Sequence, residues 1–593
     1  MNGSRLAALR EELTRLGVYG FIVPRADEHL GEYVPASAER LAWLTGFTGS
    51  AGLAVVLADR AAVFTDGRYV LQVAAQTDPA LWERLHITEQ PPPGWLAEHA
   101  PPGARIGYDP LLISEEALER YVEAGLVMEP LTRNPVDTVW RDRPAPPLAP
   151  AVPHALEYAG CSADEKRAEI AQLLTKAKQD VAVLSDPASI AWLLNIRGGD
   201  VPFTPLALGF ALVHADGGAE LFMDPAKLPE PTRAWLGNSV SIAGRDALVP
   251  ALAKLAGQRV RVDRAGSPVW FAQQLRRAGA VVVEGADPCL LPKASKNAVE
   301  QQGARNAHVR DAVAICRFLC WLSDAVPGGK ETELSAAAKL LELRQATEGF
   351  RSESFPAISG AGEHGAIIHY RVTEESNRGI RPNEIYLIDS GAQYLDGTTD
   401  ITRSLWTGPD TAPAEVRRHV TAVLKGHIAI ATLVFPQGVG GVHLDAFARL
   451  PLWQLGLDYD HGTGHGVGSY LSVHEGPVSL SRLARAVPIA PGMILSNEPG
   501  LYLPDRYGIR LENLLLVQPA EVPGSRPFLS FETLTMAPFD RRLIDPDLLD
   551  AKEEKWVDAY HARVFAEVGP RLDAPERNWL AVACAPLRAE RVT

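Results

Sequence analysis

The stretch EIYLIDSGAQYLDGTTDITRSL, residues 384–405, places one aspartate at the end of an apolar run and a second aspartate on the returning run. Residues 384–389 have the composition of a buried strand, and Asp396-Gly397 is a strong turn dipeptide. The midpoint between Asp389 and Asp400 lies within two residues of that turn. The pattern therefore predicts an antiparallel hairpin that brings these two carboxylates together.

The same construction recurs in GMILSNEPG, residues 492–500, and GIRLEN, residues 508–513. The midpoint between Glu498 and Glu512 is Asp505, in a polar loop, so a second hairpin would bring these two carboxylates together. Four converging carboxylates repel one another and raise each other's pKa values unless cations neutralise them. The two hairpins thus indicate a cation site.

Histidines lie between and around the two hairpins. HGTGHGVG, residues 461–468, contains His461 and His465, while His474 and His369 stand in VHEGP and AIIHY. A single histidine is more often structural, but alternate glycines would let the backbone approach a ligand closely. The run lacks the G-x-x-x-x-G-K pattern of a phosphate loop. We therefore favour a metal or substrate role for this segment.

One imidazole and four carboxylates form an oxygen-dominated ligand set. Such a set suits hard or borderline divalent ions, such as manganese or cobalt, better than a thiolate-rich structural zinc site. Four negative charges balance two divalent ions. A two-metal site about 3.5 to 4 Å across could hold a bridging hydroxide and polarise a carbonyl, as amide hydrolysis at neutral pH requires.

Six segments of the C-terminal half resemble motifs of the aminopeptidase P (X-Pro aminopeptidase) family, in particular its three-domain cytosolic members. The segments keep the order and spacing of the family's motifs. They are residues 366–370, 387–394, 396–400, 461–468, 473–477 and 497–500. Because residues 65–69, 140–144 and 191–198 also resemble the family, the resemblance covers essentially the whole chain.

The resemblance implies an α/β and α+β multidomain fold, in which two α/β domains of the creatinase N-terminal type precede a C-terminal pita-bread catalytic domain with a C-terminal extension. It also implies a dinuclear centre of two divalent metal ions, typically manganese, with cobalt or zinc as alternatives. Asp389 would bind one ion and His465 the other. Glu498 would bind the same ion as His465. The remaining ligands, which would bridge both ions, are Asp400 and Glu512.

Three histidines and one glutamate receive further roles from the resemblance. His369, His461 and His474 would bind the substrate, and His369 and His474 would also act in catalysis, where histidines of this family stabilise the transition state. Glu498 would shuttle a proton. Arg510, two residues before Glu512 on the same strand face, could tether a bridging carboxylate or form a plain surface ion pair.

Changes in composition mark two domain boundaries. RPAPPLAPAVP, residues 143–153, has five prolines in eleven residues and favours an extended linker. Near residues 292–297 the pattern of residue types changes, and Ala298–Ala325 is a long stretch with a helix-like pattern. We predict domains at residues 1–150, 151–295 and 296–593, with a two-domain chain as the alternative.

Charge and patterning exclude several classes of partner. The net charge of −14 over 593 residues argues against a nucleic-acid-binding surface. The N-terminal segment lacks the apolar core of a secretory signal, and no apolar run is long enough to cross a membrane. Five sparse cysteines, none in a C-x-x-C pair, read as reduced thiols. We therefore expect a cytoplasmic protein with neither a nucleic-acid nor a membrane partner.

The expected reaction is hydrolysis of the bond between an N-terminal residue and a following proline, through a hydroxide that bridges two metal ions. Substrates would be peptides with proline in second position, and the family habit suggests a homodimer. A prolidase-like dipeptidase with the same ligands is the runner-up, which the extra N-terminal domain disfavours. A pita-bread binding module that has lost catalysis is a third possibility, which the intact five-ligand set disfavours.

Overall fold

The computed structural model describes residues 2–588 of the chain. These residues form two compact units: residues 2–156 with 161–290, and residues 157–160 with 291–588. Within the described part of the chain, no helix is long and apolar enough to cross a membrane. The predicted domain boundaries near residues 150 and 295 stay predictions.

The first unit begins with a helix, α1 (Asn2–Leu16), that packs its leucines into a core. Leu6, Leu9 and Leu13 are buried, and the helix ends just before Gly17, whose φ of 67° favours glycine. The core belongs to a six-stranded sheet of β1 (Gly20–Pro24), β2 (Leu53–Leu57), β3 (Ala61–Thr65), β4 (Glu83–His86), β5 (Arg105–Tyr108) and β6 (Val127–Pro130). The other helices of this part are α2 (Arg40–Thr45), α3 (Val70–Gln76), α4 (Pro92–His99), α5 (Glu115–Glu123) and α6 (Pro135–Val139).

A second six-stranded sheet follows in the same unit. Its strands are β8 (Val181–Leu184), β10 (Phe210–His214), β11 (Ala219–Phe222), β12 (Val240–Ala243), β13 (Arg259–Val262) and β14 (Val281–Glu284), while β7 (Val152–Pro153) and β9 (Ile196–Arg197) pair separately. The helices along this stretch are α7 (Leu156–Ala159), α8 (Ala163–Lys176), α9 (Pro187–Leu194), α10 (Glu230–Leu236), α11 (Leu248–Ala253), α12 (Val269–Arg277) and α13 (Leu290–Ala294). All of α7 and α13 except their first residues belongs to the second unit.

The two sheets have the same topology. Their strand orders are β4-β3-β2-β1-β5-β6 and β12-β11-β10-β8-β13-β14. Read in these orders, the neighbouring strands of both sheets pair parallel, antiparallel, antiparallel, parallel and parallel. The first unit therefore holds two copies of one α/β arrangement.

The second unit contains several long helices. The predicted helix over Ala298–Ala325 is present as α14, and Asn297 caps its first turn through a capping box. The other helices are α15 (Glu333–Gln345), α16 (Ala414–Ala431), α17 (Asp445–Trp453), α18 (Ala551–Val568) and α19 (Ala574–Ala583).

The strands of the second unit form a six-stranded sheet, two three-stranded sheets and a two-stranded ribbon. The six-stranded sheet has the order β21-β28-β27-β24-β22-β23, the smaller sheets have the orders β16-β17-β20 and β15-β18-β19, and the ribbon is β25-β26. The strands are β15 (Phe350–Glu353), β16 (Ile358–Ala361), β17 (Ile385–Ser390), β18 (Ala392–Tyr394), β19 (Gly397–Thr398), β20 (Ile401–Trp406), β21 (Phe435–Pro436), β22 (Gly464–Gly466), β23 (Glu475–Leu480), β24 (Ile494–Asn497), β25 (Gly500–Leu503), β26 (Tyr507–Arg510), β27 (Asn513–Ala520) and β28 (Phe528–Thr533).

Both predicted hairpins are confirmed. β17 pairs antiparallel with β20 and places Asp389 opposite Thr402, two residues beyond Asp400. β24 pairs antiparallel with β27, and Asn497 lies opposite Asn513, which agrees with a turn centred on Asp505. The two hairpins thus carry two acidic residues each.

Candidate metal centre

The two hairpins and β22 bring a histidine and several carboxylates into one cluster. Asp400, His465 and Glu512 each offer a ligand atom, and these atoms lie within 4.8 Å of one another. The Nε2 atom of His465 lies 3.6 Å from Asp400 Oδ2 and 3.4 Å from Glu498 Oε1. Asp389 lies close enough to Asp400 and Glu498 for their charges to affect its pKa. All five predicted ligands are therefore neighbours.

The glycines beside His465 make room for neighbouring strands. A Cβ on Gly464 would overlap the carbonyl oxygen of Ser496, and a Cβ on Gly466 would overlap that of Glu475. Our expectation that alternate glycines admit a ligand does not hold at these two positions, because adjacent backbone fills the space. The close packing fixes His465 in a sheet.

Burial and mutual repulsion shift the pKa values of the cluster. Burial, with further contributions from Asp400 and Glu498, raises the pKa of Asp389 to about 6. Burial also raises the pKa of Glu498, and burial with the neighbouring carboxylates raises the pKa of Glu512 well above its ordinary value. Burial opposes a charge on His465, yet Asp400 and Glu498 raise the pKa of that ring to about 9. The cluster has an excess of negative charge for its degree of burial.

Three buried carboxylate oxygens of the cluster indicate whether the site fits metal ions. Within residues 2–588, Asp389 Oδ1, Asp400 Oδ1 and Glu512 Oε1 are buried and have no hydrogen-bond partner. Buried polar atoms are almost always paired, so an unpaired group calls for an explanation. Carboxylate oxygens suit divalent cations, and cations would remove both the missing contacts and the charge excess. The donor set therefore fits metal ions.

Arg510 and Tyr502 support the cluster from one side. The buried Arg510 donates to Asp389 Oδ2 at 2.5 Å, to the Tyr502 hydroxyl at 2.7 Å and to Thr402 Oγ1 at 3.1 Å. Thr402 Oγ1 in turn donates to Glu512 Oε2 at 2.6 Å. The predicted surface ion pair is wrong, because Arg510 is buried. The predicted tether to a bridging carboxylate is wrong in detail, because Arg510 pairs with Asp389 and reaches Glu512 only through Thr402.

Two hydroxyl side chains hold predicted ligands, and our sequence analysis missed both. Thr402 holds Glu512, while Ser496 Oγ donates to Glu498 Oε1 at 3.1 Å and accepts from the His465 backbone N–H at 2.9 Å. Each hydroxyl lies two residues from a predicted ligand. Since side chains two residues apart share a strand face, this spacing was the signal that could have found them.

Two of the three predicted substrate histidines, His474 and His461, contact the cluster or a residue that supports it. The rings of His474 and His465 meet edge to face, with centroids 4.4 Å apart. His461 Nε2 lies 2.9 Å from the Tyr502 hydroxyl, and its Nδ1 lies 2.7 Å from the Gly462 carbonyl oxygen. His369 is half-buried and follows Ile368 in the sequence. The Ile368 carbonyl faces the Arg510 guanidinium at 3.4 Å.

Comparison with known proteins gives a family for each part of the chain. Residues 302–519 match metallopeptidase family M24, and residues 527–587 match the C-terminal region of peptidase M24. Residues 5–132 and 142–300 each match the creatinase/prolidase N-terminal domain. The two sheets of identical topology lie within these last two matches.

The chain is similar over its full length to proteins named as aminopeptidases. It is 40% identical to a probable Xaa-Pro aminopeptidase P of Coccidioides posadasii, over 98% of this chain and 99% of that protein. The chain belongs to metallopeptidase family M24. Its predicted place among the X-Pro aminopeptidases of that family is confirmed, and with it the prediction of a metallopeptidase.

Solved structures confirm the fold of this M24 chain. The X-prolyl aminopeptidase from Caenorhabditis elegans, described as a cytosolic enzyme with a di-nuclear active site, matches with a TM-score of 0.94 and 35% identity over 99% of this chain and 100% of that one. A prolidase from Thermococcus sibiricus matches with a TM-score of 0.52 and 20% identity over 64% of this chain and 98% of that one, which shows a shared fold. The prediction of two creatinase-type domains before the catalytic domain is confirmed.

Proposed function

We propose that this M24 metallopeptidase hydrolyses the bond between an N-terminal residue and a following proline, with two divalent metal ions as cofactors. The observation that carries the proposal is the buried carboxylate cluster with three unpaired oxygens, near which lie His474 and His461. The full-length similarity to Xaa-Pro aminopeptidase P proteins supports the substrate class.

The proposed cofactors are two manganese ions, with cobalt or zinc as alternatives. Four carboxylates balance the charge of two divalent ions, and a set of oxygens with one imidazole suits manganese. The di-nuclear active site of the Caenorhabditis elegans enzyme supports the number of ions. When bound, the ions would polarise the scissile carbonyl and lower the pKa of the attacking water. The proposed ligands are Asp389, Asp400, His465, Glu498 and Glu512.

Glu498 is the proposed proton shuttle. The Ser496 hydroxyl donates a hydrogen bond to Glu498 Oε1. The Glu498 side chain is 17% exposed, so it contacts both the cluster and solvent. A carboxylate in this position can accept a proton from water and deliver it to the leaving proline nitrogen. Ser496 fixes the orientation that such a transfer needs.

His369, His461 and His474 are proposed to bind the substrate. An imidazole offers a flat apolar face to a pyrrolidine ring and an N–H donor to a developing oxyanion. Proline has no N–H and a fixed φ, so a pocket shaped for its ring would disfavour other residues by fit. His369 and His474 would also take part in catalysis. The contact between the rings of His474 and His465 supports this role for His474.

An exposed apolar face on α17 supports a homodimer. Phe447, Leu450 and Trp453 follow one another at intervals of three residues and are 46%, 50% and 46% exposed. Residues at this spacing share one face of a helix. A large apolar face on a soluble protein commonly marks an interface. We propose that a second copy of the chain covers this face, and that the protein works in the cytoplasm, where its five free cysteines stay reduced.

The test is hydrolysis of Arg-Pro-Pro, Arg-Ala-Pro and the dipeptide Arg-Pro by protein stripped of metal and then reloaded with manganese. We expect release of arginine from Arg-Pro-Pro only after reloading, with a much lower kcat/KM for Arg-Ala-Pro. Equal kcat/KM for the two tripeptides would refute the proline pocket. Faster cleavage of Arg-Pro than of Arg-Pro-Pro would support a dipeptidase instead.

A further inference from the structure

The inner face of α17 carries a buried ion pair. Asp445 and Arg449 lie one helical turn apart and are only 2% and 1% exposed. Arg449 Nε donates to Asp445 Oδ2 at 2.6 Å, and a second guanidinium nitrogen donates to Asp445 Oδ1 at 3.2 Å. Burying two charges is costly, so an apolar pair would serve a purely structural contact at least as well. The remaining contacts of the pair therefore need explaining.

Arg449 uses its other donors on the segment that leads to His461. It donates to the carbonyl oxygens of Tyr459 at 2.7 Å and His461 at 2.6 Å, and to Asp458 Oδ1 at 2.8 Å. The guanidinium also lies over the Tyr459 ring, 4.0 Å from its centroid, and that ring packs against His461. In the described structure, residues 458–463 form neither helix nor strand, so their carbonyl groups need partners outside a ladder.

Asp445 connects the same helix to Glu498. Its Oδ1 accepts the Thr463 hydroxyl at 2.6 Å, and that hydroxyl also lies 2.5 Å from the hydroxyl of Tyr459. The Thr463 carbonyl oxygen accepts the backbone N–H of Glu498 at 2.8 Å. The path from Asp445 to the Glu498 backbone thus passes through one residue, Thr463.

We infer that Asp445 and Arg449 are positioning residues, which hold the backbones of His461 and Glu498 in place from outside the reaction site. The inference rests on the proposed function, which gives His461 and Glu498 their roles. Neither Asp445 nor Arg449 hydrogen-bonds to a proposed ligand side chain in the described structure, so they act through the backbone and Thr463. A rigid helix is a better support than a loop for groups that must keep their geometry.

The inference predicts a loss of kcat when the support is removed. A displacement of about 1 Å at a catalytic group can cost about a hundredfold in rate. We expect Arg449→Met to lower kcat at least about tenfold, while calorimetry still detects two manganese ions. Thr463→Val removes only the hydroxyl and should lower kcat about three- to tenfold, whereas Thr463→Ser should stay within about twofold of wild type.

The experiment compares these variants with a control at a second, partly exposed ion pair. Arg305 forms a bidentate pair with Glu532 in the same unit, at 2.8 Å for both contacts, and in the described structure neither side chain hydrogen-bonds to a proposed ligand. Arg305→Met should keep wild-type kcat. All proteins are assayed on Arg-Pro-Pro below their unfolding temperature, with kcat and KM determined separately. Guanidinium added at low millimolar concentration should restore part of the activity of Arg449→Ala but add nothing to wild type.

The outcomes separate the inference from the proposed function. If wild type fails to cleave Arg-Pro-Pro, the proposed function is wrong. If wild type is active and Arg449→Met keeps its kcat, or if Arg305→Met loses as much, the inference is overturned. Should Arg449→Met not fold, the Thr463 variants decide: equal kcat for valine, serine and threonine at this position overturns the inference.

Discussion

Replacing Glu512 with glutamine should stabilise the metal-free protein and destabilise the metal-loaded one. Glu512 is 1% exposed, its Oε2 accepts the Thr402 hydroxyl, and its Oε1 is unpaired. Glutamine keeps the size of the side chain and removes one negative charge. The free energy of unfolding should change in opposite directions in the two states. Without cations the charge is repelled by the neighbouring carboxylates, whereas with cations it helps to bind them.

The distance between ligand atoms sets the size of the first effect. The ligand oxygens of Glu512 and Asp400 lie within 4.8 Å of each other. Two unit charges at that distance repel by about 3.5 kcal/mol at an effective dielectric constant of about 20. Proton uptake by the cluster relieves part of this repulsion. We therefore expect the free energy of unfolding of metal-free Glu512→Gln to exceed that of wild type by about 1 to 3 kcal/mol.

Cation binding sets the size of the second effect. An ion that binds only the folded state stabilises it by about 2.7 kcal/mol at a concentration of one hundred times its Kd. Glutamine is a neutral and weaker ligand, so the variant should lose most of this gain. In manganese, wild type should therefore be the more stable protein.

Thermal unfolding in EDTA and in excess manganese checks both effects. The Tm of Glu512→Gln should lie above that of wild type in EDTA and below it in manganese. Glu532→Gln is the control, because it removes a carboxylate that pairs with Arg305 outside the cluster. Its shift in Tm should have the same sign in both solutions. If Glu512→Gln also shifts in one direction only, cation binding does not depend on Glu512 and the reasoning is refuted.

Three further results are expected. Glu498→Gln should lower kcat at least about a hundredfold, because an amide cannot shuttle a proton, while peptide binding measured by calorimetry changes little; an unchanged kcat with manganese retained would assign the transfer elsewhere. Burial lowers the pKa of His561 to about 3, so its neutral form favours the folded state above pH 6.5 and that stability is lost as pH falls below 6.5. Between pH 7.5 and 5.5 His561 should contribute about 1.4 kcal/mol to the loss measured by urea unfolding, so His561→Gln should lose about 1.4 kcal/mol less than wild type, and equal pH dependence in both proteins would contradict this. Leu450→Glu should convert a dimer to a monomer in light scattering, whereas Val249→Glu, at an equally exposed position, should not; a monomeric wild type would refute the interface.

The hairpins could be predicted because their signals are local. Asp389 and Asp400 flank one turn dipeptide, and the alternating or apolar runs beside them specify strands. Register followed from the midpoint, since antiparallel partners lie at equal distances from the turn. The first hairpin is centred between Leu395 and Asp396, one position beyond the midpoint of Asp389 and Asp400, so the residue opposite Asp389 is Thr402 and not Asp400. A local pattern fixes the pairing of strands better than the position of the turn.

The supporting contacts could not be predicted because they join distant parts of the chain. Arg510 pairs with Asp389 across two hairpins, and nothing in the sequence around either residue selects that partner. Asp445 and Arg449 have the spacing of an ordinary helical ion pair, yet their function depends on a segment that folds back against the helix. The likeness of the first two domains was predicted from the family resemblance and not from a repeated sequence, since their common topology rests on strand order.

The cluster combines paired and unpaired oxygens in a way that favours cation binding. Asp389 and Glu512 each have one oxygen held by a donor, Arg510 or Thr402, and a second oxygen that is buried and unpaired within the described chain. The donors fix the carboxylates before any ion arrives, so little side-chain freedom is lost on binding. Without cations, the second oxygens have no hydrogen-bond partner in the described chain. We therefore expect the same acidic cluster to weaken the metal-free fold and to raise the affinity for metal, which is why Glu512→Gln should shift the two states in opposite directions.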